Sequence, residues 1–171
     1  PEIENAANGG FSVNESSSKE VGVKLLTFGD NGGWQSKESW VSPCYGRKVN
    51  APFLRFVSKG IGSQEFFTFM MPTDNSFDAP EVFETDIVGG RAFVIKYREY
   101  NDLFVFGDGN GQTIRTEFFD SNFKFLWARL SEGEALPEEF VMIDGTNFAL
   151  NGREIVNHQQ PLKFVNARRL G

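Results

Sequence analysis

The feature that most constrains this chain is its punctuation: short apolar runs recur along it, separated by residues suited to tight turns. From Val21 onward the runs are Val21–Phe28, Phe53–Val57, Glu65–Met71, Val82–Val88, Arg91–Arg98, Leu103–Phe106, Thr113–Phe119, Phe123–Leu130, Phe140–Ile143, Phe148–Leu150 and Leu162–Val165. Gly89-Gly90, Asp108-Gly109-Asn110-Gly111, Asp144-Gly145 and Asn151-Gly152 stand between them, and such residues tolerate the positive φ that hairpins need. Within the runs, Phe93, Ile95 and Tyr97 alternate against Ala92, Val94 and Lys96, and Phe123, Phe125 and Trp127 against Lys124, Leu126 and Ala128. That period of two is the signature of strands. No window keeps a helical apolar stripe for three turns; Glu132–Glu139 has the charge of a helix start, but Pro137 interrupts it. The expectation is an all-β fold, an antiparallel β-sandwich of two packed sheets rich in hairpins and meanders, over residues 21–171. One domain or two small lobes both satisfy the pattern.

A chain of 171 residues buries roughly 70% of its unfolded surface, enough to dispense with disulfides or metal. Its 19 phenylalanines suit a core of interlocked rings on pleated sheets. The net charge of −6 and pI of 4.9 speak against nucleic acid, since the strongest basic clusters are only Arg168-Arg169 and Arg47-Lys48. The same acidity argues weakly against a grip on a strongly anionic polysaccharide by this segment alone. No apolar run is long enough to span a membrane, so no membrane insertion is expected. Residues 1–20 are polar and turn-rich and are expected to form a flexible linker or a truncated strand. The start at Pro1, without a signal-like apolar region, reads as a processed product or a fragment.

Candidate chemistry is sparse. His158 is the only histidine and lies in a polar stretch, which suits an exposed loop residue better than a general base. Cys44 is the only cysteine, so no internal disulfide forms, and no local base activates it; a small loop residue is the simpler reading. With one His and one Cys, a zinc site would need carboxylates for its remaining ligands. Asp108–Gly111 lacks both the flanking helices and the final Glu of a calcium loop, with Phe119 in that place. It reads as a hairpin turn. No catalytic residue, metal or cofactor is assigned.

Gly32–Pro52 breaks the meander. It reads as a long irregular loop holding Trp34, Trp40, Cys44, Tyr45 and Arg47, and long structured loops carry function or cover a core edge. Trp34, Trp40 and Tyr45, with Arg47 and the nearby Asp30, Asn31 and Asn50, offer flat faces for pyranose C–H groups beside donors for hydroxyls. Rings that cap a sheet edge explain the same residues. Trp127, in phase with Phe123 and Phe125, is expected in the core.

The same stretch carries a family resemblance. Gly33-Trp34, Trp40-Val41-Ser42-Pro43-Cys44-Tyr45-Gly46-Arg47-Lys48, Ala51-Pro52-Phe53-Leu54 and Thr68-Phe69-Met70-Met71-Pro72 are similar to a block late in heparinase II/III-like proteins. A softer similarity covers 90–171, through Asp102–Gly109, Trp127-Ala128-Arg129 and Asn147–Gly152. On this resemblance 21–72 matches the end of the family's β region and 73–171 adds C-terminal strands. It implies a periplasmic or secreted parent with an N-terminal α/α toroid that cleaves uronate-containing polysaccharide by β-elimination. The toroid and an early β segment would hold the Tyr, His and Asn residues of that reaction; their motifs do not occur here, so none is carried over. The implied role is a non-catalytic C-terminal sandwich that supports the cleft, with polysaccharide as partner. An independent carbohydrate-binding module and a structural or dimerisation domain remain alternatives, as do a homo-oligomer and an intramolecular contact with the toroid.

Overall fold

The computed structural model describes residues 2–6, 10–14, 21–29, 32–62, 64–74 and 80–169. Among them every regular element is a strand, and every pairing is antiparallel. The chain divides into two compact units, Pro1–Ala79 and Pro80–Gly171.

The first unit contains β1 (Glu2–Ala6), β2 (Gly10–Asn14), β3 (Val21–Gly29), β4 (Gly32–Cys44), β5 (Arg47–Ser58) and β6 (Phe66–Asp74). A four-stranded sheet runs β1-β2-β3-β6, while β4 and β5 pair only with each other. Residues 1–20 therefore include a hairpin, Glu2↔Asn14 to Ala6↔Gly10, where a linker or truncated strand was expected. Its polar composition hid it; what holds it is the backbone ladder from β2 to β3, which composition does not report. Leu26 and Met71 are buried on one face of this sheet, and Phe28 meets Phe69 edge-on at 6.1 Å.

The second unit is the sandwich. Its strands are β7 (Glu81–Thr85), β8 (Gly90–Lys96), β9 (Tyr100–Gly107), β10 (Ile114–Arg115), β11 (Phe119–Ser121), β12 (Phe125–Ser131), β13 (Glu139–Ile143), β14 (Gly145–Leu150), β15 (Arg153–Leu162) and β16 (Val165–Arg168). A six-stranded sheet, β16-β13-β12-β9-β8-β7, packs on a four-stranded one, β10-β11-β14-β15. The register Ala92↔Val105↔Leu126↔Met142 forms an inward row, with all four residues fully buried. Facing it are Ile114, Phe119, Phe148 and Leu150 of the smaller sheet.

Phe123 completes this core from outside any strand. It is fully buried in the crossover from β11 to β12. Beside it, Asp144 at φ 56° turns the chain from β13 into β14, the reverse passage. Asn122 ties the two crossovers together: its Oδ1 accepts from the backbone N–H of Thr146 (2.8 Å) and Asn147 (3.0 Å). Its Nδ2 donates to Thr146 Oγ1 at 2.7 Å. Gly145 packs so closely that an added Cβ would stand 2.6 Å from Phe123 Cα.

Two local readings are corrected here. Asp108–Gly111 joins β9 to β10 across the sandwich rather than closing a hairpin, with Asn110 Oδ1 accepting from Gln112 N–H at 2.8 Å. Within β12 the inward residues are Leu126 and Ala128, whereas Phe125 and Trp127 lie half-buried on the opposite face. The strand begins at Phe125, so the bend after Phe123 resets the alternation that had placed Trp127 in the core. By contrast, Asn151 (φ 50°) and Gly152 (φ 74°) do close a two-residue hairpin between Leu150 and Arg153. Beyond it, β15 forms the outer strand of its sheet, with register shifts that insert Ile155 and free the backbone of His158–Pro161 from regular pairing.

Two outcomes follow. Gly145→Ala should destabilise the second unit by about 1–3 kcal/mol, because backbone rather than a flexible side chain must move; urea unfolding followed by Trp127 fluorescence in a Trp34→Phe/Trp40→Phe background measures it. Asp144 accepts from Lys124 at 2.5 Å and Lys163 at 2.8 Å, and these bonds hold its carboxyl down from 3.8 to about 2. A depressed carboxyl favours the folded state above its unfolded pKa and loses that advantage as pH falls through about 2. Carboxyl NMR shifts should show Asp144 titrating in that range, and near its ordinary value in a Lys124→Met/Lys163→Met variant.

Candidate functional site

The stretch expected as an irregular loop is a regular ribbon. β4 and β5 pair from Gly32↔Ser58 to Val41↔Val49, shift register once, and close through Cys44↔Arg47. Tyr45 and Gly46 form the turn, with Gly46 at φ 76°. Polar residues such as Gln35, Ser36, Lys37, Glu38 and Ser39 concealed it, because a ribbon with solvent on both faces needs no apolar alternation.

The register sorts its side chains. One face carries Trp34, Ser36, Glu38 and Trp40 opposite Phe56, Leu54, Pro52 and Asn50; the other carries Gln35, Lys37, Ser39 and Val41 opposite Arg55, Phe53, Ala51 and Val49. Trp34 and Trp40 thus share a face but sit six residues apart, roughly 20 Å along an extended strand. They do not make one continuous platform. Trp34 is half-buried and meets Phe56 edge-on at 5.6 Å, and Phe56 in turn packs on Phe66 at 5.9 Å. Gly32 lies against this ring, and a Cβ there, 2.2 Å from the Phe56 ring, would force that side chain to shift.

Trp40 behaves differently. It is 54% exposed, and Lys48 Nζ lies 4.0 Å from its ring centroid, the geometry of a cation–π contact. Beside it runs a groove of about 420 Å³ lined by Ser36, Lys37, Glu38, Ser39, Asn50 and Pro52, together with Ala51. Tyr45 is fully exposed at the tip, and Arg47 is exposed next to it. The structure therefore gathers Trp40, Tyr45 and Arg47 toward one end of the ribbon and leaves Trp34 at its base. Asp30 and Asn31 lie outside the described residues. The combination at the tip end can stack a sugar ring on Trp40, bond hydroxyls through Asn50 directly opposite it, and meet an acidic group with Lys48.

The acid–base candidates lie elsewhere. Cys44 is exposed at the end of β4. His158 is exposed on β15, its Nδ1 2.8 Å from the backbone oxygen of Gln160. Among the described residues no group of three or more His, Cys, Asp or Glu converges as metal ligands would.

A second constellation escaped the sequence reading. On the sheet face turned away from the sandwich core, Asp102 accepts two hydrogen bonds from Arg129, at Nε and Nη2, each 2.9 Å. The guanidinium lies 4.1 Å from the Tyr100 ring centroid and 5.4 Å from that of Trp127. Tyr100 stacks on Tyr97 at 4.5 Å. Hydrogen bonding to Asp102 raises the Arg129 pKa, and burial with the neighbouring Asp102 carboxylate pushes the Tyr97 hydroxyl up. The only advance signal was parity: Tyr97, Tyr100 and Asp102 share one face once the β8–β9 register is known. The fork fixes Arg129 in place, so this cluster reads as a bracing element of the sheet.

Searches against protein-family models and against curated proteins both find no match.

Because Asp102 is almost wholly buried and Arg129 about a third exposed (side chains 6% and 31%), Asp102→Ala should cost about 2–4 kcal/mol. That is slightly below the usual penalty for orphaning a buried charge, since water reaches the guanidinium. Thermal unfolding of the variant, compared with Asp102→Ala/Arg129→Met, checks it; the double variant should recover part of the loss.

Proposed function

We propose that this chain is a non-catalytic β-sandwich segment of a polysaccharide-processing protein and that its ribbon holds an anionic glycan. Chemistry would be carried by another region, as the resemblance to heparinase II/III-like lyases implies. The observation that carries the reading is Trp40: an exposed indole with an ammonium on its ring, next to a groove lined by Ser36, Ser39, Asn50, Lys37 and Glu38. Exposed aromatic faces suit pyranose C–H surfaces, and the ammonium held over one face of the indole suits a uronate carboxylate on a sugar packed against the other.

Charge placement supports it further. The whole chain is acidic, which counted against an anionic ligand, but Gly32–Ser58 holds Lys37, Arg47, Lys48 and Arg55 against Glu38 alone. The ribbon is a local positive surface on a negative chain, and local potential rather than net charge governs encounter with a polymer.

Affinity electrophoresis in gels containing a polyuronate, a neutral glucan or no polymer tests this. The chain should be retarded by the polyuronate, with retardation weakening as salt rises. Trp40→Ala and Lys48→Ala should each weaken it by about ten-fold, equivalent to ~1.4 kcal/mol, with Trp34→Phe little changed. The chain alone should release no unsaturated uronate, read by ultraviolet absorbance. Retardation that ignores both Trp40 and Lys48, or eliminative activity from the chain alone, would remove the proposal.

A further inference from the structure

A two-stranded ribbon with both faces in water is marginally stable by itself, yet β4 and β5 extend over 13 and 12 residues. Burial within it is confined to partial cover of a few positions near its base and of Ala51. The face opposite Trp40 presents Val41, Val49 and Phe53, each 39–52% exposed, flanked by Lys37 and Arg55. This is an apolar strip edged with cations, and no carboxylate shares that face.

Its complement occurs in the same sequence. Residues 60–90 contain Glu65, Asp74, Asp78, Glu81, Glu84 and Asp86 without one Lys or Arg. Strand β7 lies inside this stretch and is the outermost strand of the six-stranded sheet. It and its following loop expose Phe83 (48%) and Val88 (90%) together with Glu81 and Asp86. Glu84 is engaged by Arg91, whereas among the described residues Glu81 and Asp86 have no ion-pair partner. An outer strand also presents a row of unpaired N–H and C=O groups.

We infer that the ribbon of one copy docks along β7 of a second copy, giving a reciprocal two-fold dimer. Strand addition supplies the backbone bonds, Val41, Val49 and Phe53 cover Phe83 and Val88, and Lys37 and Arg55 meet Glu81 and Asp86. Each copy offers both halves, and a two-fold arrangement that uses both at once is closed, whereas the same contact repeated head to tail would give a filament and a mass that keeps rising with concentration. The apolar residues used lie opposite Trp40, whereas Lys37 and Arg55 also belong to the positive surface of the glycan reading, so Trp40→Ala and Glu81→Lys/Asp86→Lys are the variants that separate the two.

Sedimentation equilibrium of the full chain tests it. A dimer is expected at low salt, with its dissociation constant weakened at least about ten-fold at high salt. Lys37→Glu/Arg55→Glu should be monomeric, and so should Glu81→Lys/Asp86→Lys. Mixing those two variants should restore a dimer, because each ribbon then faces a β7 of opposite sign; a variant that had merely unfolded gives no such rescue. Trp40→Ala should leave the dimer intact while weakening glycan retardation by about ten-fold. A chain monomeric at every concentration at low salt, a dimer that survives both charge reversals, or a mixture that stays monomeric would each overturn the inference.

Discussion

Phe123 stands where two opposite passages between sheets run side by side, and the sandwich depends on that crossing. A strand pair can keep its side-chain alternation for any length, but a chain that changes sheets must break it somewhere. Here both breaks are concentrated at one point. Phe123 fills the space between the layers, Gly145 lets the returning backbone approach it, and Asn122 satisfies the amides that the bend leaves without a ladder. The buried row of Ala92, Val105, Leu126 and Met142 can face Phe148 and Leu150 only because the two crossovers hold the sheets at this spacing.

The all-β class was legible because apolar runs of strand length recur with glycine and asparagine turns between them, and Asn151-Gly152 was read for what it is. The phase of β12 was not legible. Counting from Phe123 assumed that the strand had already begun, and one bent residue before Phe125 moved Trp127 to the other face. The ribbon was missed for a different reason: periodicity reports burial, and a strand wetted on both faces leaves no periodic trace. Its true signals were the Tyr45-Gly46 turn and strands of nearly equal length on either side, 13 and 12 residues. The Asp102–Arg129 fork joins positions 27 apart, and nothing local announces such a pair before register is known.

The candidate site shows the same division. The residue types were visible early, as were their chemical aptitudes, but their grouping was not. Trp34 and Trp40 look alike in sequence; the fold makes one a ring packed on Phe56 and the other an exposed surface with Lys48 on it. Charge behaves likewise. The overall value of −6 conceals a basic ribbon followed by an acidic stretch, so an average over the chain describes neither surface.

The outer strand β15 carries one more consequence. A ten-residue strand with an open side is a template on which other chains can stack into fibrils. Its irregularity counters that hazard: Ile155 is inserted out of step, His158 turns back on Gln160, and Pro161 removes a donor near the end. An incoming strand would find matching spacing for only a few residues before the pattern fails. The register shifts of this strand thereby limit how far another edge could stack along it.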